Sequence, residues 1–518
     1  MAGRVAQHRV VATAVSTTRL VRTAIPALFL LVFFAWPVLH MVGVHARPDA
    51  VIDAITESSL RGVAWFTLWQ AVVSTALSLA VGVPLTWAVS RRGFPGSRVI
   101  SGLVGSAFLV PAVAMAAGVA ALVPSRGIPA ILWAHVSFNV AVVLRVVGPT
   151  WAMVDTRQQE SAASLGAPPW RVFVDVTLPA IGAALRNATA LVFAFCFSSF
   201  AVVSILGGPT IRTLETEVFT QAVRLGDVGT AVSLSVVQAA VVLIVLSLGR
   251  GRPDTLIDSH GSAAERPVGA RAHGIGAPMV VAVAASTVVV LPLGAVLVRS
   301  VRIDGAWSIA GWRALFDGSL SSAGIDIADV LRTSLVFAVA TAGVTLLAAI
   351  LVCRRRQVGL IEKATLLPLV VSAVTLGLGL VVTFDDPPLD WRGRAWLVPV
   401  VHSVIALPLA VRVIGPALRS IGTDLIESAR DLGASSLRAW FTVQMPLLRP
   451  ALLRAAGISG AVSLGEFGAT SFLARSDTMT VPIAIGQLMG RPGEILQQAA
   501  FALAALTILV TSALLSRA

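Results

Sequence analysis

The chain has 518 residues, 56% of them hydrophobic and only 13% charged, and carries a formal net charge of +13 at pH 7. That balance excludes a soluble globular domain. In a soluble chain the positive charge would suggest nucleic acid. Here the arginines sit at the ends of apolar blocks, so membrane topology accounts for them and no nucleic-acid partner is called for.

In chain order, a basic start (Arg4, Arg9, Arg19, Arg22) precedes an apolar run from Ala24 to Val44. Val44-His45-Ala46 weakly resembles a cleavage site, but the run exceeds the ~7–15 residues of a signal's apolar region, so it reads as a retained first span. Eleven further apolar blocks follow, so that spans centre near residues 34, 76, 110, 138, 195, 238, 287, 340, 374, 405, 462 and 506. Each is about 20 residues long, enough for a helix to cross a ~30 Å hydrocarbon core. The fold class predicted is an all-α polytopic membrane protein with about twelve transmembrane helices.

The loops alternate in charge. Arg91, Arg92 and Arg98, then Arg250, Arg252, Arg266 and Arg271, then Arg354, Arg355, Arg356 and Lys363 fall on one side. The opposite loops take most of the acids, among them Asp49, Glu215, Glu217, Asp227, Asp385 and Asp477. The positive-inside rule then places both termini in the cytoplasm. Residues 250–275 are rich in Gly, Pro, Ser and Arg without apolar periodicity and read as a cytoplasmic linker. They divide the chain into a first six-span repeat, 1–249, and a second, 276–518. An even number of spans in each makes the repeats parallel in the membrane.

The division is supported by a segment that occurs twice, 267 residues apart. Glu160-Ser161-Ala162-Ala163-Ser164-Leu165-Gly166-Ala167 leads to Pro179, and Glu427-Ser428-Ala429-Arg430-Asp431-Leu432-Gly433-Ala434 leads to Pro446. Between 135–179 and 402–446, 15 of 45 positions are identical without a gap. A fixed-offset repeat of this kind marks an internal duplication. Each copy reads as a short cytoplasmic helix beginning near the Glu, broken at a glycine that supplies permissive backbone. The next span then starts at the Pro, a tolerated first-turn position.

These spacings resemble the EAA loop of importer permeases that work with an ATP-binding subunit and a substrate-binding protein. The departures are Ser161 and Ser428 at the first small position, Arg430, and Met445. The resemblance implies a type I ABC importer permease fold of the fused two-half kind in a bacterial plasma membrane. It implies coupling loops at 155–179 and 422–446 that dock on two ATPase subunits through Glu160, Ala163, Gly166, Glu427 and Gly433. A binding protein outside the cytoplasm would deliver the solute, and ATP and Mg would be bound by the partner ATPase, not by this chain. Further stretches, including Trp65–Gln70, Arg91–Gly96, Ala134–Asn139 and Cys196–Ala201, are similar to thiamine permeases. The two-half layout is also similar to iron(III) permeases, so thiamine or its phosphate esters, with iron(III) as the alternative, is the cargo implied. An ion-gradient carrier is the reading from another class.

Within the spans, Glu466 is an acid in the eleventh, an expensive placement that marks either the solute path or a bond to a neighbouring helix. Ser198, Ser199 and Phe200 are further path candidates; Ser199 is the repeat equivalent of Glu466. His135 and His402 are also equivalents and point to helix packing. Arg145 and Arg412 are expected to reach the headgroups, and Pro111 to be a tolerated kink within one span. Cys196 and Cys353 have no metal-ligand spacing. No phosphate-binding G-x-x-x-x-G-K run, no nucleophile beside a base and no metal cluster occurs, so no enzyme activity, cofactor or metal site is expected of the chain itself.

Overall fold

The computed structural model describes residues 24–249 and 276–516, except 50–51, 53–55, 109, 354–358 and 386–388. The basic N-terminus, the linker at 250–275 and Arg354, Arg355 and Arg356 lie outside the described residues.

Among the described residues, ten helices are long and apolar enough to cross a bilayer. In the first half these are α1 (Ala24–His45), α2 (Ser58–Arg92), α5 (Ile128–Ala152), α7 (Pro169–Phe197) and α10 (Val228–Leu248). In the second they are α11 (Gly276–Arg299), α13 (Ile327–Cys353) beyond the short α12 (Ala310–Phe316), α16 (Leu397–Ser420), α18 (Ser436–Gly465) and α21 (Glu494–Leu514). The other two predicted spans are each a pair of short helices. These are α3 (Ser97–Ala107) with α4 (Ala112–Leu122), bent by 106°, and α14 (Leu360–Leu369) with α15 (Ala373–Thr383), bent by 101°.

The single kinked span expected at Pro111 is thus a sharp break. Pro111 has no N–H and disfavours helix in the residue before it, and α4 begins immediately after it. In the second pair Ser372 restarts the helix, its hydroxyl accepting from the Thr375 amide at 3.0 Å.

Both bent pairs cross the membrane. Arg91, at the C-terminal end of α2, donates to the Val154 carbonyl and to Gln159 Oε1, just past the end of α5, at 2.6 Å each. Two long packed helices whose C-terminal ends meet run in the same direction, so the chain between them must return through α3 and α4. In the second half Arg419, at the end of α16, meets Glu362, at the start of α14, at 2.9 Å. The same reasoning sends α14 and α15 across, giving twelve crossings.

Burial sets the layers. In α5 and α16, 78% and 72% of the most apolar stretch is buried; in α1 and α11 the figures are 22% and 28%. The former pair are central and the latter peripheral. Each peripheral helix packs on the other half. Pro292 in α11 cannot donate to the Val288 carbonyl, and that carbonyl instead accepts from Trp133 Nε1 at 3.0 Å and Ser137 Oγ at 2.9 Å, both on α5. Gly118 on α4 lies so close to the Pro292 carbonyl that any side chain there would collide with it. Reciprocally, Phe34 of α1 is buried with Phe337, Phe384 and Leu397 of the second half.

Between α7 and α10 the chain re-enters through α8 (Ala201–Leu206) and α9 (Leu214–Phe219). Between α18 and α21 it does so through α19 (Thr470–Leu473) and α20 (Val481–Met489). Equivalent contacts anchor both. The Leu214 amide donates to Thr67 Oγ1 at 2.9 Å, and the Val481 amide to Ser334 Oγ at 2.8 Å, with both members of the pair shifted by 267.

Candidate functional site

The two loops that carry the repeated motif fold alike. Their helices, α6 (Thr156–Ser164) and α17 (Thr423–Asp431), start four residues before the glutamate instead of at it. Asp155 caps α6, its Oδ1 accepting from the Arg157 amide at 2.9 Å. At the other end the Gly166 amide bonds the Ala163 carbonyl at 2.9 Å and the Ala167 amide bonds Ala162 at 3.1 Å. In the second loop Gly433 bonds Arg430 at 2.8 Å and Ala434 bonds Ala429 at 3.0 Å.

These paired bonds close a helix on a left-handed residue, and the glycines have φ of +86° and +84°. An added Cβ would meet nothing within 4 Å at either position, so backbone conformation, not space, demands glycine. The chain then turns into α7 and α18. Pro179 and Pro446 sit inside these continuous helices, and a π-helical stretch (Val172–Thr177, Trp440–Gln444) precedes each.

Glu160, Ala163, Gly166, Glu427 and Gly433 are all exposed. The two carboxylates make no hydrogen bond or ion pair among the described residues. Beside them stand apolar side chains that sequence reasoning missed. Leu165 and Leu432 are 89% and 90% exposed, Trp170 and Leu437 62% and 67%, and Val174 and Phe441 44% and 56%. Each pair is related by the 267 offset, which would have found them. Exposed apolar patches of this kind mark a contact surface for a protein or for the membrane.

The first loop is fastened sideways. Arg91 holds Val154 and Gln159, and Gln159 Nε2 donates to Thr177 Oγ1 at 2.7 Å.

The path candidates gather at the centre. Helix α7 stops at Phe197 and α18 at Gly465, so Ser198–Phe200 and Glu466–Ala469 are equivalent breaks. Phe200 and Phe467, equivalents in the duplication, stack on each other with centroids 5.5 Å apart. The approximate two-fold relation between the halves therefore passes between these rings. Ser198 Oγ accepts from Gln238 at 3.2 Å, while Ser199 is half-buried and makes no hydrogen bond among the described residues.

Glu466 is buried, and both its oxygens are engaged. Oε1 accepts from the Ala469 amide at 3.0 Å; Oε2 accepts from the Thr470 amide at 2.9 Å and the Thr470 hydroxyl at 2.6 Å. His402 Nε2 stands 3.5 Å from Oε2. The acid builds the break it sits in. Both histidines pack between helices, His402 Nδ1 against Ser463 Oγ at 2.8 Å and His135 Nδ1 against Ser74 Oγ at 3.0 Å.

Two expectations are overturned. Glu215 and Glu217, read as outer-loop acids, are buried on α9, with 0% and 2% exposure. Arg145 does not reach for headgroups: its guanidinium donates to the Gly105 carbonyl at 2.6 Å and lies 5.6 Å over the Phe108 ring.

Fold and site together fit a polytopic membrane transport permease in which an exposed motif loop occurs twice. Residues 359–518 match the family described as the binding-protein-dependent transport system inner membrane component. A thiamine transport system permease protein of Brucella melitensis is 26% identical over 468 residues, covering 84% of this chain and 83% of its own. The protein of that description from Escherichia coli is 25% identical over 475 residues, 86% and 87% of the two chains. A probable ABC transporter permease protein of Sinorhizobium fredii is 26% identical over 519 residues, 92% and 90%. The chain is a multi-pass ABC importer permease, similar along most of its length to these proteins.

Proposed function

We propose that the chain is the membrane-spanning subunit of an ATP-driven importer for thiamine or its phosphate esters. The observation that carries the cargo reading is likeness to thiamine permeases along more than four-fifths of both chains. In this reading residues 1–249 and 276–518 are the two permease repeats, joined by the linker at 250–275. The loops 155–179 and 422–446 face the cytoplasm with both termini, and each docks on one of two ATPase subunits.

Gly166 and Gly433 set the angle between the docking helix and the following span. Glu160 and Glu427 offer a carboxylate to a cation on the ATPase, and Ala163 keeps the approach close. Closure of the ATPase pair around ATP and Mg moves α6 and α17. Because α7 and α18 continue rigidly from these loops to the breaks at 198–200 and 466–469, that motion reaches the Phe200–Phe467 stack and opens a path between the halves. A binding protein on the far side supplies the solute to Ser198, Ser199, Phe200 and Glu466.

The test is uptake of radiolabelled thiamine by cells lacking the gene, with ferric iron uptake in parallel. Loss of thiamine uptake alone, restored by the wild-type gene, is the expected result; intact thiamine uptake with reduced iron uptake refutes the cargo. For the mechanism, Glu427→Arg should abolish transport at an unchanged protein level. Normal transport by that variant would remove the docking role.

A further inference from the structure

Among the described residues the buried glutamates each face an Arg or His side chain, except Glu215, although Glu362 Oε2 is also buried without a hydrogen bond. Glu466 has three donors and His402, Glu217 has Arg212 at 3.0 Å and Gln221 at 2.8 Å, and Glu362 has Arg419 at 2.9 Å. Glu215 has 0% exposure and receives a hydrogen bond from Gln238 Nε2 at 2.6 Å. Its Oε2 and the Gln238 Oε1 are both buried without a donor. Ser372 of the second half lies beside it, but that hydroxyl donates to Thr375 Oγ1 at 2.9 Å. Two unfilled acceptors, one on a carboxylate, are costly in a low-dielectric interior and mark a place where a donor or a cation is missing.

What surrounds the pair suits a flat cation. Phe219 lies one helical turn beyond Glu215 on α9, so the two share a face. Its ring is 5.3 Å from Phe200 and 5.3 Å from Phe472, and Phe200 reaches Phe467 at 5.5 Å. Rings from both halves thus form one chain beside the polar pair, and aromatic faces attract cations. The place also fits a transit role: Gln238 bonds Ser198 at the break of α7, and Ser372 begins α15 at the break of the ninth span. A metal ion is a poor match, because no group of three or more His, Cys, Asp or Glu side chains that could hold one exists among the described residues. The 267 offset puts Pro482 opposite Glu215, so the pair belongs to the first half only.

We propose that Glu215 and Gln238, with the rings of Phe200, Phe219, Phe467 and Phe472, form the transit site for an organic cation that carries N–H donors. The cation supplies the charge and the donors that the pair lacks, and the rings part to admit it when the halves rock. This rests on the import reading above and names the residues that recognise the cargo.

The experiment is initial-rate uptake of radiolabelled thiamine and of ferric iron by cells lacking the chromosomal gene and expressing wild type, Glu215→Gln, Glu215→Asp or Phe467→Leu. Rates are normalised to the amount of permease in the membrane. Removing a charge-assisted bond to the solute should cut thiamine uptake by Glu215→Gln about tenfold or more. Glu215→Asp keeps the charge and should stay within about threefold of wild type, while Phe467→Leu should raise KM several-fold at an unchanged maximal rate.

Wild-type kinetics in Glu215→Gln overturn the site and leave the thiamine reading intact. Should Glu215→Gln fail to reach the membrane, an unchanged KM in Phe467→Leu overturns it instead. Iron uptake without thiamine uptake in the wild type refutes the cargo reading and, with it, an organic-cation site.

Discussion

The two halves agree at the loops that carry the repeated motif and diverge at their central breaks. At the loops the hydrogen bonds around Gly166 and Gly433 recur at matching positions, with φ within two degrees. At the breaks the phenylalanine is kept and the polar chemistry is not. Cys196, Ser198 and Ser199 in one half stand opposite Ser463, Gly465 and Glu466 in the other. His402 is bonded through both nitrogens, to Ser463 at 2.8 Å and to Thr470 at 2.9 Å. In His135 the Nε2 is buried without a partner. The buried acids also differ in place: Glu215 and Glu217 lie on α9 in the first half, Glu362 at the start of α14 and Glu466 at the break in the second. The duplication has thus kept the backbone geometry of the loops and differentiated the polar chemistry of the breaks.

The comparison can be broken most sharply at Glu466. Glu466→Ala leaves two amides and a hydroxyl without their carboxylate acceptor and removes the acid beside His402, and should cost about 3–5 kcal/mol, the range for breaking a buried pair. Ser199→Ala at the equivalent place removes no bond and should cost under about 1 kcal/mol. Thermal unfolding of the purified protein in detergent reads both, and equal losses would refute the asymmetry. A smaller difference is expected between His402→Ala and His135→Ala. Both open a cavity of one size and lose the Nδ1 bond, so the comparison isolates the Nε2 bond at about 1–2 kcal/mol. Unfolding at the same temperature would show that the Nε2 contacts of His402 contribute nothing.

How legible these regions were in the sequence follows the same line. The motif loops were legible because a glycine at a fixed distance from a helix end has a local cause, a left-handed backbone that needs no knowledge of the neighbours. Their helices start four residues before the glutamate, at Thr156 and Thr423, because the helical stretch begins ahead of the run of matching residues at Glu160 and Glu427. The central site was legible only in part. Phe200, Ser198 and Glu466 were found from placement within apolar blocks. Glu215 was not, because Leu214-Glu215-Thr216-Glu217 reads as a polar loop and its burial depends on α8 and α9 folding back between α7 and α10. Hydropathy counts crossings without giving direction, so the 106° bend at Pro111 lay beyond it, as did the Gly105 carbonyl that holds Arg145.

The smallest effect sharpens the agreement between the loops. Replacing Gly166 or Gly433 by Ala forces a side chain into the left-handed region at a cost of about 1 kcal/mol, with no clash to add to it. Because bonding and φ match, the two substitutions should reduce uptake by the same factor, within about twofold, if the loops alone set the coupling. The first loop, however, is also tied through Arg91 to Val154 and Gln159, and position 426, opposite Gln159, is Ile. Arg91→Ala should therefore make the first loop as easy to distort as the second, read as faster proteolytic cleavage within 155–168 and unchanged cleavage within 422–435. If Gly166→Ala is tolerated in the wild type and becomes as harmful as Gly433→Ala only alongside Arg91→Ala, the sideways tie is what makes the docking loops unequal. If Arg91→Ala changes neither cleavage nor uptake, the two loops are equal in strength as well as in shape.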